Sequence, residues 1–406
     1  MSARLALAAL LPALAMVAPD ALAAALLVTV SHDLNAARPS ETITVPWAEV
    51  NRALPGALIQ HIAVKDAQGR VLPHQVTNVA PLAKDPKNEG IAYGELIFQH
   101  NFAPGEKQAT FTVEKIEALS PVFPVKAYAR YVQERLDDFA WENDKLGHRT
   151  YGPALAAPAE PGSGKEVLVT SGLDLWFKRV SYPIVDRWYN KGHDHYHHDE
   201  GEGMDMYNVG KSRGAGGTGV WDGSALYTSV NYASWKLLAN GPVRAIFELR
   251  YNSFDAAGTQ VGEVKRFTVD AGHYLDQIDS TLTFSGKPSL IMAAGLNKAP
   301  TDKFQDPAIA MDRDPARGLL LQWVQQKSKG QFGVAVVLPG AKGYAEDAMN
   351  HLILADAVSG KPVRYYAGGA WDRAGEITSR EQWQAYVTAM AERYRHPISV
   401  TLKTLP

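Results

Sequence analysis

Apolar and polar positions alternate in short runs along most of this chain, and clusters of Gly, Pro, Asn or Asp separate the runs. A period of two marks strands with one buried face. Near the N-terminus, residues 26–30 and 42–45 read as strands. Residues 62–65 and 70–73 flank Asp66-Ala67-Gln68-Gly69 and predict a hairpin. Residues 95–98 and 109–113 flank Ala103-Pro104-Gly105-Glu106 and predict a second. Short strands with turn chemistry at this spacing describe a small β-sandwich over residues 25–120. Further strands are predicted at 167–170, 245–251, 264–269, 276–284 and 332–338, several alternating as half-buried antiparallel strands do. Residues 157–165 are rich in Pro, Gly and Ala and predict a loop inside the second region. No repeat of solenoid or propeller length is present.

The period changes once, near the C-terminus. Ser379 with Gln382 three residues on is a capping box, and Trp383, Tyr386, Val387, Met390 and Tyr394 follow at helical spacing. Pro397 ends the helix, and residues 398–402 predict a last strand. The chain therefore reads as mainly β with one C-terminal helix.

The first 23 residues carry a different pattern. Arg4 precedes an apolar run from Leu5 to Ala18, and Ala21-Leu22-Ala23 offers a small-x-small cleavage signal before Ala24. Pro12 and Pro19 oppose a stable helix there, and the run is short for a bilayer. Residues 1–23 are expected to be a signal peptide, which makes the mature protein periplasmic or secreted and free of the membrane. A length of 406 residues allows two or three domains, and 46% hydrophobic with 21% charged residues is ordinary for a globular chain. The net charge of -2 gives no field that favours nucleic acid or anionic membrane. Cysteine is absent, so neither a disulfide nor a lipid-modified N-terminal Cys is available.

Chemistry concentrates between Tyr189 and Gly217, in YNKGHDHYHHDEGEGMDMYNVGKSRGAGG. There His193, His195, His197 and His198 lie among Asp194, Asp199, Glu200, Glu202 and Asp205. Imidazoles mixed with carboxylates suit proton transfer or a metal. If the segment is extended, His193, His195, His197 and Asp199 project to one face. The tentative metal set is His195, His197, Asp199, Glu202 and Asp205, for Zn²⁺, Mn²⁺ or Ca²⁺. No zincin motif is present, and a His-rich surface loop is the competing reading. The Gly-rich tail (Gly210, Gly214, Gly216, Gly217) predicts tight turns or close packing.

A second constellation runs from Glu134 to Lys145 and on through His148, Arg149 and Tyr151. Trp141 beside Glu142 and Asn143 suits sugar recognition, because hydroxyls need acceptors and amides while the sugar's CH-rich face stacks on a ring. Arg149 could grip a carboxylate through its fork and Tyr151 could serve as acid or base. A structural ion-pair network beside a buried Trp competes with this reading. A third constellation, with Arg364 before Gly368-Gly369 and then Trp371-Asp372, suits an aromatic platform at a cleft, or equally a turn with Trp371 in the core. Lys178, Arg179 and Arg213 could add positive charge, whereas Tyr232 and Trp235 read as core. No Walker loop, nucleophile elbow, kinase signature or Rossmann unit is present, so no nucleotide cofactor is expected.

ERLDDFAWEND and RTYGPAL (134–155), SGLDLWFKRV (171–180) and WY followed by YHHDEGEGMDMYNVGKSRGAGG (188–217) carry a resemblance. NYASWKLLANGPVRAIFELRY (231–251) and YYAGGAWDRAG (365–375) extend it over nearly all of the mature chain. On these motifs the chain resembles a family of secreted bacterial proteins known as domain of unknown function 4861. The resemblance implies an antiparallel β-supersandwich over residues 121–406, like those of galactose mutarotases and the β-rich domains of polysaccharide lyases. It implies a setting among enzymes that degrade acidic polysaccharides such as pectin and ulvan. The implied reaction, for some relatives, removes water or an alcohol from a terminal uronic acid and leaves a 4,5-unsaturated sugar. Glu200 departs from the family's pattern and receives no role.

The residue types suit that chemistry. The C5 proton of a uronate is poorly acidic until a cation neutralises the neighbouring carboxylate. His197 or Tyr151 would act as base or acid, Asp199, Glu202 and Asp205 would hold a metal or orient the histidine, and Arg149 or Arg213 would grip the carboxylate. Substrate contacts are expected from Trp141, Glu142, Asn143, Arg213, Trp371 and Asp372. The alternatives are a glycoside hydrolase pairing Glu142 or Asp144 with Asp205, and a non-catalytic glycan-binding protein using Trp141 and Trp371.

Overall fold

The computed structural model describes residues 24–77 and 94–406, so the expected signal peptide lies outside the described residues. The fold is mainly β, with five antiparallel sheets. Strands Ala25–Ser31, Gln108–Lys115 and Ile62–Lys65 share one sheet. The chain's last strand, Ser399–Leu405, pairs along the free edge of Ala25–Ser31. Arg38–Pro46, Glu95–Phe102 and His74–Thr77 form a second sheet. The two close on Val28, Val30, Ile43, Val45, Phe98 and Phe111, with the last two rings edge-on at 4.9 Å.

Both expected N-terminal hairpins differ from this arrangement. The Asp66–Gly69 turn forms, with Gly69 at φ 76°, but residues 70–73 contribute only an isolated Lys65–Val71 bridge. The strand follows at His74–Thr77 and joins the other sheet. Likewise, Glu95–Phe102 and Gln108–Lys115 are joined by a tight turn yet pair with different partners. Local sequence specifies the turn. The shared core decides which sheet each strand enters, because both strands direct Phe rings inward between the layers.

The remaining architecture is an antiparallel supersandwich. Its eight-stranded sheet runs in spatial order through Ser234–Ala239, Arg244–Ala256, Thr259–Asp270, Leu275–Thr283, Pro362–Trp371, Gln331–Val337, Leu319–Gln325 and Ala308–Asp314. One face packs Phe247, Phe267, Ile278, Val334 and Val336 against two five-stranded sheets. The other face packs Leu321, Trp323, Ala335 and Val337 under Trp383, Val387 and Met390 of the helix Arg380–Arg395. The Ser379 side chain caps that helix by accepting from the Gln382 N–H, as its sequence predicts.

Residues 167–170 are not a strand. Val167 and Val169 are exposed, and the backbone N–H groups of Leu168 and Thr170 go to Leu155 and Asn231 instead of to a ladder. Conversely, one five-stranded sheet has no counterpart among the predicted strands. It comprises Gly203–Asp205, Asp174–Lys178, Leu146–Thr150, Asp138–Glu142 and Tyr128–Val132 in spatial order. Its inner strands are buried on both faces, so their sequences show no apolar–polar alternation.

Candidate functional site

That doubly buried sheet positions the site. Side chains alternate across it, so Phe139, Trp141, Leu175 and Phe177 enter the core between the sheets. The opposite face carries Asp138, Arg149, Tyr151, Asp174 and Asp205. Register brings them together: Arg149 lies opposite Asp174, and Trp176, two residues on, lies opposite Asp205. Gly147 permits the closeness, since a Cβ there would meet the Trp176 Cβ at 3.2 Å. Two short helices, Val185–Lys191 and His193–Tyr196, cover this face by packing Trp188, Tyr189 and Tyr196 around Trp176.

Arg149 is the hub. Its Nε and Nη2 donate to Asp174 Oδ2 at 3.1 and 2.7 Å, and Nη2 also donates to Asp205 Oδ2 at 2.8 Å. Nη1 donates to the Tyr196 hydroxyl at 3.4 Å and lies 3.7 Å from Asp138 Oδ2. The guanidinium also faces the rings of Tyr151 and Trp176, each at 5.3 Å. The Tyr151 hydroxyl donates to Asp174 Oδ2 at 3.0 Å, and that of Tyr189 to Asp138 Oδ2 at 3.1 Å. Every member is buried.

Burial raises the affinity of these carboxylates for protons. Asp205 is held well above the usual carboxylate range by burial and then by the neighbouring Asp174, against the pull of Arg149. Burial likewise raises Asp174, and pushes Asp138 up to about 6. Two carboxylates on one guanidinium nitrogen favour sharing a proton between them. Tyr151 is raised well above its ordinary value by burial and by Asp174, so it stays protonated.

The network reaches the surface at His197, whose side chain is 35% exposed. Its Nδ1 lies 3.2 Å from the Asp205 carbonyl oxygen and 3.6 Å from Asp205 Oδ2. A carbonyl only accepts, so Nδ1 carries the proton and Nε2 presents a lone pair. Nε2 sits 3.2 Å from His193 Nε2, so the two imidazoles share one hydrogen bond. Burial lowers the His197 pKa to about 4, with the charges of His193, Arg149 and Lys329 adding to the effect. Half-buried Lys329 is therefore close enough for its charge to act on His197.

The extended reading of the His-rich segment is corrected here. His193–Tyr196 is a helical turn, so His193 and His197, four residues apart, are the neighbours. His195 turns away to Glu200, with Nδ1 3.0 Å from its carboxylate. Asp199 pairs with Arg179 at 2.9 Å and accepts from the N–H groups of Gly201 and Gly203. Glu202 takes Arg187, the Tyr182 hydroxyl and the Trp188 indole N–H. Of the five expected ligands, His197 and Asp205 are in contact, whereas His195, Asp199 and Glu202 each turn to partners of their own. Among the described residues, no group of three or more His, Asp or Glu is placed to hold a metal ion.

Most of the expected substrate contacts are structural. Trp141 is a core residue whose Nε1 donates to Asp276 at 2.7 Å and whose ring stacks on His148. Glu142 accepts from Lys178 at 2.6 Å and from the N–H groups of Ile184 and Val185, which start the first covering helix. The Asn143 amide bridges the backbone at Asp270 and His273. Arg213 is buried elsewhere, donating to Ser171 Oγ at 2.8 Å, and burial lowers it to about 10. Trp371 is buried and its indole N–H donates to the Lys329 carbonyl at 2.9 Å, so it holds the Lys329 loop and offers no exposed platform. Asp372 heads a short turn beside it. Asp144 accepts from the Gly272 N–H at 2.6 Å. The Gly-rich tail does pack closely: a Cβ on Gly214, at φ 60°, would lie 2.0 Å from the Leu173 oxygen.

Asp138, Asp174, Tyr189 and Tyr196 belong to this network, and sequence reasoning gave none of them a role. Asp138 and Asp174 were visible as carboxylates two residues from Ala140 and Trp176, but only knowledge of the sheet puts them on the face of Arg149.

The family described as Domain of unknown function (DUF4861) matches residues 30–400. "Uncharacterized protein P7" of Formosa agariphila is 30% identical over 393 residues, covering 93% of either chain. Among solved structures, an alpha-mannosidase from Enterococcus faecalis V583 is similar with a TM-score of 0.48 and 9% identity, over 93% of this chain and 46% of its own. A glycosyl hydrolase family 38 protein from Enterococcus faecalis gives a TM-score of 0.46 and 9% identity, over 94% of this chain and 47% of its own. The chain thus spans about half the length of these solved chains.

Proposed function

The chain belongs to the family described as Domain of unknown function (DUF4861), and from its own residues we propose that it is a carbohydrate-active lyase or dehydratase. Its substrate class is the uronic-acid-containing oligosaccharides, and its setting is periplasmic or secreted. The observation that carries this reading is half-exposed His197, its Nδ1–H held by the Asp205 backbone carbonyl, at the edge of the buried network in which Arg149 joins the Asp205 carboxylate to Asp174 and Tyr151.

His197 Nε2 is the base in this reading, once substrate displaces the hydrogen bond that it accepts from His193 Nε2–H. It is unprotonated above about pH 4, and its Nδ1–H is fixed by the Asp205 carbonyl. It takes the C5 proton of the uronate. The C5–H electron pair becomes the C4–C5 double bond, the C4–O bond breaks, and the departing oxygen takes a proton. His193, in hydrogen-bond contact with His197, is the proton carrier nearest that event. Lys329, whose charge acts on His197, would serve in this reading as the ammonium that neutralises the substrate carboxylate and so acidifies C5–H. Arg149 is recast as a positioning residue, because its guanidinium is occupied by Asp174 and Asp205.

A divalent metal remains part of the proposal only as an external addition. The His197–His193 edge is the place with two ring nitrogens close together, and no step above depends on it. The test is product analysis on a panel of uronate oligosaccharides, with and without added divalent ions. The expected product absorbs in the ultraviolet through a double bond conjugated to the carboxylate. His197→Gln should lower its rate by about 10²–10⁴-fold. New reducing ends without unsaturation would establish the hydrolase instead, and bound but unaltered oligosaccharide would establish a binding protein.

A further inference from the structure

A cleft of about 670 Å³ lies on the other side of the eight-stranded sheet from the Arg149 cluster. It opens between the sheet, the end of the C-terminal helix and the Arg38–Glu41 segment of the N-terminal sandwich. A smaller cavity of about 290 Å³ adjoins it, sharing Pro362 and Arg364. Together they form an elongated polar groove, within the volume range of ligand sites.

Most of the groove's charges are matched in pairs. Arg244 forks onto Asp270 at 2.5 and 2.7 Å, Arg364 onto Asp279 at 2.7 and 3.1 Å, and Arg266 meets Glu248 at 2.5 Å. Lys342 lies 3.2 Å from Asp356. One place is uneven. Glu41 receives both Arg38, at 2.9 Å, and Arg393, at 2.6 Å, so two buried guanidiniums share one carboxylate. The groove is therefore one negative charge short of balance, in a chain whose net charge is -2. Beside this point Tyr366 and Tyr394 stack, with ring centroids 3.4 Å apart, and the buried Tyr394 hydroxyl has no hydrogen-bond partner among the described residues.

We propose that this groove is a second, non-catalytic binding site for a carboxylated oligosaccharide. One carboxylate answers the groove's excess positive charge without touching Arg38 or Arg393, which are buried and already donate to Glu41 and to the His396 and Pro39 carbonyls. Exposed Lys342 and Arg364 make the direct contacts along the chain of sugars. The uronate class rests on the reading proposed above, whereas the preference for an anion rests on the groove alone.

The test is calorimetric titration of the His197→Gln protein with an oligogalacturonate and with its methyl-esterified form. Expected is a site that prefers the free acid at least tenfold. That preference should weaken in Lys342→Ala and in Arg364→Ala, both surface side chains, and disappear when the two are combined. The same substitutions in otherwise wild-type protein should leave kcat on saturating substrate unchanged. Binding that ignores esterification, or that survives in the combined variant, overturns the proposal. Acid-selective binding lost in the variants, in a protein that makes no unsaturated product, would uphold the groove and remove the catalytic reading.

Discussion

Residue by residue, burial is what gives these side chains their chemistry. His197 and Asp205 are in contact, yet burial pulls the imidazole down to about 4 and holds the carboxyl well above its usual range. Burial thus favours the neutral form of each, so the imidazole keeps a free base at Nε2 while its Nδ1–H stays on the Asp205 carbonyl. The same effect can be tested away from the site, at Asp276 beneath Trp141, which burial raises to about 7. A carboxyl raised in the fold contributes stability in full below its unfolded value of about 4 and loses it as pH climbs towards about 7. Asp276→Asn keeps the acceptor for the Trp141 indole but cannot ionise. Denaturant titrations should show the variant gaining on wild type by on the order of 1–4 kcal/mol between about pH 4 and about pH 8. A difference that does not change with pH would mean that Asp276 is not neutral in the folded protein. Sequence reasoning reached His197, Arg149, Tyr151 and Asp205 because clustered titratable residues stand out in any pattern. It misassigned Trp141, Glu142 and Arg213 because a buried polar network has the same composition as a sugar-binding surface. Only burial separates the two.

At the level of elements, the site depends on a sheet that sequence periodicity could not reveal. Half-buried strands such as Thr259–Asp270 alternate and were legible, whereas Asp138–Glu142, Leu146–Thr150 and Asp174–Lys178 are covered on both faces. Their outer cover is anchored by Glu142, which neutralises Lys178 and accepts the N–H groups at the start of the helix Val185–Lys191. Both side chains are only 1% exposed, so removing one partner strands the other. Glu142→Ala should cost about 3–5 kcal/mol in urea unfolding. Replacing the pair together, as Glu142→Leu/Lys178→Met, should recover much of that loss. Equal losses in the single and double variants would show that the pair's charge balance is not what holds the cover.

Across the whole molecule, the chain's ends meet: Ser399–Leu405 seals the edge of Ala25–Ser31 and ties the N-terminal sandwich to the helix that packs on the supersandwich. The sequence announced a last strand, but its partner lies more than three hundred residues away, which no local pattern encodes. Deleting residues 398–406 should expose the edge of Ala25–Ser31 and produce self-association on size-exclusion chromatography. A truncated protein that stays monomeric would argue that another segment protects that edge. The family match runs from residue 30 to residue 400 and so covers both the sandwich and the supersandwich. The central claim, that His197 removes a proton from C5 of a uronate, is tested most directly by turnover of a substrate deuterated at C5. The account predicts an unsaturated product that has lost the deuterium, formed with a primary isotope effect that vanishes together with activity in His197→Gln. A product that keeps its deuterium and gains a reducing end would contradict it.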